Sequence, residues 1–285
     1  MRQQAQTMAA QFHTPSKSIW FLQSINILAV VLGPIVAQAA DYWGRKWFLV
    51  LLSLAGGVGS LIVSRASSFG MAVAGFCLIG ASYGMHPLLH AVLGEILPRR
   101  WRPIAGAMPQ VAFSTGCILG YVVGAALNRS SSPTSNGFRK YFYMTMACYL
   151  FVSVVCLALY NPPPRSAQIS FTLRQKLGKL DWAGYVLYAS SVVLFSIALS
   201  YSQNPYPWSN ARVSATFAVG IALGLAFIFY EARVRTDGMF HQGLFSRSRN
   251  FALALFCIFF EGIAFFAITA YRASNSSSLT YQCQS

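Results

Sequence analysis

Acidic side chains are scarce: the 285 residues include 6 Asp and Glu against 21 Lys and Arg. Charged residues of both signs make up 9% of the chain, where soluble domains carry about 25%. That shortage excludes an ordinary water-soluble globule. Histidine is also rare, with 4 in all, and the 6 cysteines show no C-x-x-C or Cys/His spacing of a structural metal site. Cys77, Cys117, Cys148, Cys156 and Cys257 lie inside apolar runs, where free thiols behave as small hydrophobes. Neither a metal nor a cofactor is expected. The first 17 residues have no apolar core followed by a small-residue cleavage site, so the first apolar run would act as the targeting signal.

Apolar residues fill the space that charge leaves. The chain is 55% hydrophobic and 15% aromatic, which excludes disorder. A net charge of +15 on a soluble protein would point to nucleic acid. Here the basic residues sit in short polar breaks between long apolar runs, so the lipid bilayer is the expected partner and nucleic acid is not. A spanning helix needs roughly 20 apolar residues. Eight runs qualify: Ser18–Ala40, Trp47–Ser64, Phe69–Leu97, Ile104–Leu127, Tyr141–Tyr160, Trp182–Tyr201, Val213–Tyr230 and Phe251–Ala270. They are continuously apolar, not alternating with a ten-residue period, which argues against a β-barrel. The expected fold class is all-α, a polytopic transmembrane helix bundle of about eight membrane helices.

The charges also give an orientation. One set of alternate breaks holds 13 of the 21 basic residues, among them Arg45, Lys46, Arg99, Arg174 and Lys179, and should face the cytoplasm. Both ends of the chain then face outward. The sequons Asn128-Arg-Ser130 and Asn275-Ser-Ser277 fall on that outer side. Trp20, Trp43, Trp47, Trp101, Trp182 and Trp208 all lie near run ends, where an indole finds both an apolar and a polar neighbour.

The most specific polar element is Asp41-Tyr-Trp-Gly44-Arg45-Lys46, between the first two runs. A tight turn between helices needs the backbone freedom of Gly44. Arg45 and Lys46 supply cations at the interface, and Asp41 can pair with them or cap a helix. The pattern D-x-x-G-R-K between two membrane helices resembles the loop motif of the major facilitator superfamily, there found between helices two and three. Ala37 stands where that family has a leading glycine.

Further motifs extend the resemblance in order along the chain. Ala74-Gly75-Phe76-Cys-Leu-Ile79-Gly80 is similar to the fourth-helix motif of proton-coupled members, with Phe76 in the place of their arginine. Together with Gly94-Glu95-Ile-Leu-Pro98 it is similar to the fungal trichothecene efflux and siderophore transporter branch. Gly116-x-x-x-Gly120-Tyr121-Val-Val-Gly124 resembles the antiporter motif of exporters, with Tyr121 at the family's proline and Ala125 at its last glycine. Glycines at four-residue spacing also simply permit close helix packing, as do Gly80/Gly84 and Gly220/Gly224. Leu180-Asp181-Trp182-Ala-Gly184 and Tyr206-Pro-Trp208 resemble fourteen-helix drug/proton antiporters, in which two extra helices join the halves.

That resemblance implies a transporter, not an enzyme, and an incomplete one. Residues 1–17 would be a polar N-terminal segment, and 18–160 a partial first bundle, family helices two to six. Residues 161–180 would be a cytoplasmic loop and 181–230 two linker helices. A second loop, 231–250, would precede the first helix of the C-terminal bundle at 251–270 and a polar tail at 271–285. The implied activity is proton-coupled efflux of toxins, drugs or siderophores by alternating access, in the plasma membrane or the vacuolar membrane. Asp41, Gly44, Arg45 and Lys46, with Gly116, Gly120 and Gly124, would serve conformational change. A cavity between two bundles cannot close around one bundle and a single helix, so this chain is expected to be a truncated form that does not transport alone. The alternative is a non-transporting partner or inactive fragment that associates with another transporter chain.

Polar groups inside the runs are the candidates for protons and substrate. Glu261 interrupts Phe-Phe-Glu-Gly-Ile, and an acid in hydrocarbon is neutral, paired or turned to a cavity, so it can carry a proton or bond a neighbouring helix. His86 and His90, four apart, share a helical face, and Pro87 between them should bend that helix. They can handle protons, line a cavity or simply bond other helices; no further ligands flank them for a metal. Asn26 and Gln110, like Gln23, suit hydrogen bonds to substrate or to another helix. An intramembrane enzyme using His86, His90 and Glu95 would need more histidines or carboxylates than the chain holds.

Overall fold

Helix geometry and the bilayer together decide the architecture. The structure is a computed structural model that describes Met8, Phe12, residues 18–129, 137–162, 171–203 and 206–234, Asn250 and residues 252–264. Among these every regular element is helical. In chain order they are α1 (Ile19–Trp43), α2 (Arg45–Ser64), α3 (Phe69–Tyr83), α4 (His86–Ile96), α5 (Arg102–Arg129), α6 (Gly137–Leu159), α7 (Leu173–Lys179), α8 (Trp182–Gln203), α9 (Ala211–Arg233) and α10 (Ala252–Ala264). Seven helical stretches are long and apolar enough to cross a membrane, with α3 and α4 together counting as one, Phe69–Ile96. At 1.5 Å per residue the 25-residue α1 reaches roughly 37 Å, more than the apolar thickness of about 30 Å. Of the eighth expected run only α10 is described. The expected polar tail 271–285, the sequon at Asn275 and most of the loop 231–250 lie outside the described residues.

Two compact units divide the chain, Met1–Tyr230 and Glu231–Ser285. In the first, α2 is central, packing on α3 and along α6, while α1 lies on α3 and α8. Glycine makes these approaches close. A β-carbon on Gly59 would stand 2.7 Å from the Gly75 carbonyl oxygen, and one on Gly75 would stand 2.9 Å from that of Gly59. A β-carbon on Gly80 would lie 2.8 Å from Ile25 Cα, so α3 touches α1 by backbone as well. With no hydrophobic force to separate helix from lipid, such backbone contact and dispersion hold the helices together. Around the crossings Phe21 stacks on Phe76 at 5.2 Å and Phe142 meets Phe76 edge-on at 5.6 Å. Ser82 and Tyr149 share a hydrogen bond of 3.0 Å between α3 and α6, and the Ser153 hydroxyl donates to the Val50 carbonyl at 3.4 Å.

The third run differs from its expected form. Pro87 does not bend one long helix; the helix stops at Tyr83 and a new one starts at His86, with Pro87 in its first turn. The reason is steric. Proline lacks an N–H and its ring would strike the carbonyl four residues back, two conflicts that vanish in a first turn.

α8 docks antiparallel along the length of α1. Trp20 meets Tyr201 edge-on at 5.6 Å, the Gln23 amide donates to the Ser196 carbonyl at 3.5 Å, and the Tyr188 hydroxyl donates to that of Val30 at 3.2 Å. At the far end the Tyr185 hydroxyl donates to Gln38 Oε1. α9 then packs on α8, where the Ser191 hydroxyl donates to the Gly220 carbonyl at 2.9 Å. In the second unit α10 is apolar and exposed, with Phe256 and Phe260 packed at 4.6 Å on one side.

Candidate functional site

The turn between α1 and α2 consists of one residue. Gly44 ends the first helix and starts the second, with φ 95° and ψ 147°. That region of backbone space is nearly restricted to glycine, because a β-carbon there would strain the chain. Its N–H donates to the Ala40 carbonyl at 2.9 Å, closing the last turn of α1. Gly44 thereby sets Asp41 and Arg45 on consecutive helices at the same level.

Arg45 is buried, and its guanidinium reaches two acids. Nη1 donates to Glu95 Oε2 at 2.7 Å, and Nη2 lies 3.5 Å from Asp41 Oδ1. The two carboxylates are half-exposed, with side-chain exposures of 54% for Asp41 and 51% for Glu95. Next to it, Lys46 Nζ donates to Asn161 Oδ1 just beyond α6. Four helices, α1, α2, α4 and α6, therefore meet through polar side chains at one end of the bundle.

Helix dipoles make this cluster unusual. Asp41 and Glu95 lie in the last turns of α1 and α4, at negative ends where an acid is disfavoured. Arg45 opens α2, at a positive end where a cation is disfavoured. Each charge is in an unfavourable place alone. Together they offset one another, so the cluster ties the ends of α1, α2 and α4 to one another.

A second group of side chains surrounds the break between α3 and α4. The His86 ring stacks on Tyr83, centroids 5.0 Å apart and planes 11° apart, and meets Phe113 of α5 edge-on at 6.0 Å. His90, a turn further on, is exposed, as are Asn26 on α1 and Gln110 on α5. Along α5 the glycine stripe faces varied surroundings. Nothing lies within 4 Å of a β-carbon placed on Gly116, the Tyr141 hydroxyl lies 3.6 Å from one on Gly120, and Gly124 is buried. Glu261 is exposed on α10 in the second unit.

The Leu180–Gly184 motif has a structural explanation. Asp181 is fully buried at the start of α8, where it accepts from the Gly184 N–H at 3.1 Å and from the Tyr230 hydroxyl at 3.0 Å. A β-carbon on Gly184 would stand 2.3 Å from that carboxylate, so the acid requires the glycine three residues on. The pair caps α8 and ties it to α9.

Glu95 is the residue that sequence reasoning left outside its conformational set. One signal pointed to it: an acid in the last turn of a helix needs a cation, and Gly94-Glu95-Ile-Leu-Pro98 put it there. No spacing could have paired it with Arg45, 50 residues earlier in the chain.

Seven apolar spans among the described residues, several of them crossing at glycines, define an integral, multi-pass membrane protein of the helix-bundle class. Among such bundles, a D-x-x-G-R-K turn closing two spans narrows the class further. The chain belongs to the major facilitator superfamily, whose model matches residues 4–281. It is similar to the MFS-type transporter gkaD of Penicillium citrinum, 27% identical over 226 residues, which cover 79% of this chain and 37% of that protein. The MFS-type efflux transporter pyiT of Pyricularia grisea is 28% identical over 214 residues, covering 75% and 34% of the two chains. The MFS-type efflux pump LUC4 of a Fusarium species is 24% identical over 229 residues, covering 79% and 39%. The chain thus spans well under half the length of these relatives.

Proposed function

We propose that this chain supplies helices of the first bundle, the linker helices and the first helix of the second bundle of an exporter of small organic molecules, driven by protons through alternating access. The observation that carries the reading is the buried Arg45 held between Asp41 and Glu95 on two other helices. Charges that offset one another across three helix ends can serve as a two-state latch: assembled in one state, separated and hydrated in the other. Relatives named as efflux transporters support the direction of transport. Toxins, drugs or siderophores are the substrate classes, and the plasma or vacuolar membrane is the site of action.

In this reading Gly116, Gly120 and Gly124 form a gating face on α5, where the open space over Gly116 leaves room for an approaching helix. His86, His90, Asn26 and Gln110 contribute polar groups to the transport path. Glu261 carries the proton, because a carboxylate among Phe259, Phe260 and Ile263 must be neutral, paired or turned to a cavity.

The test uses residues 1–285 joined to the remaining part of gkaD, expressed in a host without its own pumps and loaded with a fluorescent dye. Efflux is expected, and a proton ionophore should abolish it. Glu261→Gln should lose gradient-driven efflux by about tenfold or more while keeping dye exchange between the two sides. Gradient-driven efflux at full rate in Glu261→Gln would remove the proton role from that residue.

A further inference from the structure

Between the spans α6 and α8 lies α7, a short helix whose only charged residues, Arg174, Lys176 and Lys179, are all basic. It is specified locally. The Thr172 N–H donates to Gln175 Oε1 at 2.9 Å, and the Lys176 N–H donates to the Thr172 carbonyl at 2.9 Å. Leu173 and Leu177, one turn apart, share a face and are 68% and 46% exposed. Trp182, 57% exposed, donates its indole N–H to the Leu177 carbonyl at 2.9 Å. Three exposed apolar side chains therefore follow one another along a surface that starts outside the spans and ends on α8.

Covalent geometry fixes the level of this surface. α7 ends at Lys179 and the membrane-spanning α8 begins at Trp182, so the chain between them reaches no more than about 10 Å. The indole contact folds α7 back onto the end of that span. A second anchor holds the other side: Lys179 Nζ lies 3.8 Å from the centre of the Phe171 ring, and Phe171 meets Tyr42 edge-on at 6.4 Å at the end of α1. α7 is thus held beside the end of the span α8. Arg174 and Lys179 are exposed there, and Asp181, the one acid in the stretch 171–182, is fully buried. Leucine side chains beside exposed cations at this depth match the two layers of an anionic bilayer surface, acyl boundary and phosphate.

We propose that α7 with Trp182 is an interfacial lipid-binding face: Leu173 and Leu177 sit at the acyl boundary, and Arg174 and Lys179 bind the headgroup phosphate of anionic phospholipid. This site is independent of the transport reading. Its test places p-benzoylphenylalanine at Leu177 of the 285-residue chain, reconstituted in vesicles of phosphatidylcholine with about one-third phosphatidylserine and irradiated. Lipid adducts are expected, with phosphatidylserine enriched about threefold or more over its bulk share. Arg174→Gln with Lys179→Gln should return the adducts to the bulk share. The same photoprobe at the exposed Leu225 of α9 should give adducts at the bulk share in both backgrounds, which separates loss of the site from loss of the fold. Absence of lipid adducts at position 177, or phosphatidylserine at its bulk share in the unsubstituted background, overturns the proposal. So does loss of the enrichment on adding millimolar inorganic phosphate, which would assign the cations to a soluble anion instead of the bilayer.

Discussion

Replacing Arg45 by alanine in the joined transporter is expected to lower efflux about tenfold, with the protein still present in the membrane. The magnitude follows from burial. Removing one partner of a fully buried ion pair costs about 3–5 kcal/mol. Here the two acids are about half in water, at 54% and 51% exposure, so the latch should lose about 1–2 kcal/mol, near a tenfold change in the balance of states. Arg45→Lys keeps the charge but loses the fork that serves Asp41 and Glu95 at once, and should recover only part of the activity. Glu95→Gln keeps a hydrogen-bond acceptor 2.7 Å from Nη1 without its charge and should fall between the two. Dye efflux normalised to surface expression measures all three. Full activity in Arg45→Ala would show that the cluster is a static structural contact.

The second large effect lies in folding. Gly59→Val should abolish a monodisperse peak in detergent, and Gly59→Ala should lower the thermal midpoint clearly, because the new β-carbon would stand 2.7 Å from a backbone carbonyl. No flexible side chain can move aside there; α2 and α3 must separate. Overpacking of this kind costs about 1–3 kcal/mol for a methyl and more for a branched chain. Gly116→Ala on α5 is the matched control, since nothing lies within 4 Å of its added carbon, and its midpoint should not move. Fluorescence-detected size exclusion across a temperature series distinguishes them. Equal loss in both variants would contradict the crossing described here.

The contrast between these glycines shows what one dimension can and cannot carry. Apolar run length locates spans because the bilayer imposes it, and Gly44 was legible because a one-residue turn leaves few alternatives. The G-x-x-x-G spacing was read at Gly80/Gly84 and Gly220/Gly224, where helices do approach closely, and at Gly116, Gly120 and Gly124, yet a β-carbon on Gly116 meets nothing, while Gly56, Gly59 and Gly75, outside any such spacing, lie in tight contacts on α2 and α3. Spacing shows that a flat face exists; which helix lies on it depends on the bundle. The break after Tyr83 was half legible. Pro87 marked the place, and whether a proline bends or restarts a helix depends on the packing around it. α7 escaped notice for a different reason: seven residues are too few for hydrophobic periodicity to stand out.

Residues 1–285 alone, beside the same residues joined to the remaining part of gkaD, in a host without its own pumps give the most direct measurement. If the transport path closes only between two bundles, dye should leave cells carrying the joined protein and stay in cells carrying the chain alone at equal membrane level. Clear efflux by residues 1–285 alone would contradict the two-bundle mechanism and the part assigned to Arg45 within it.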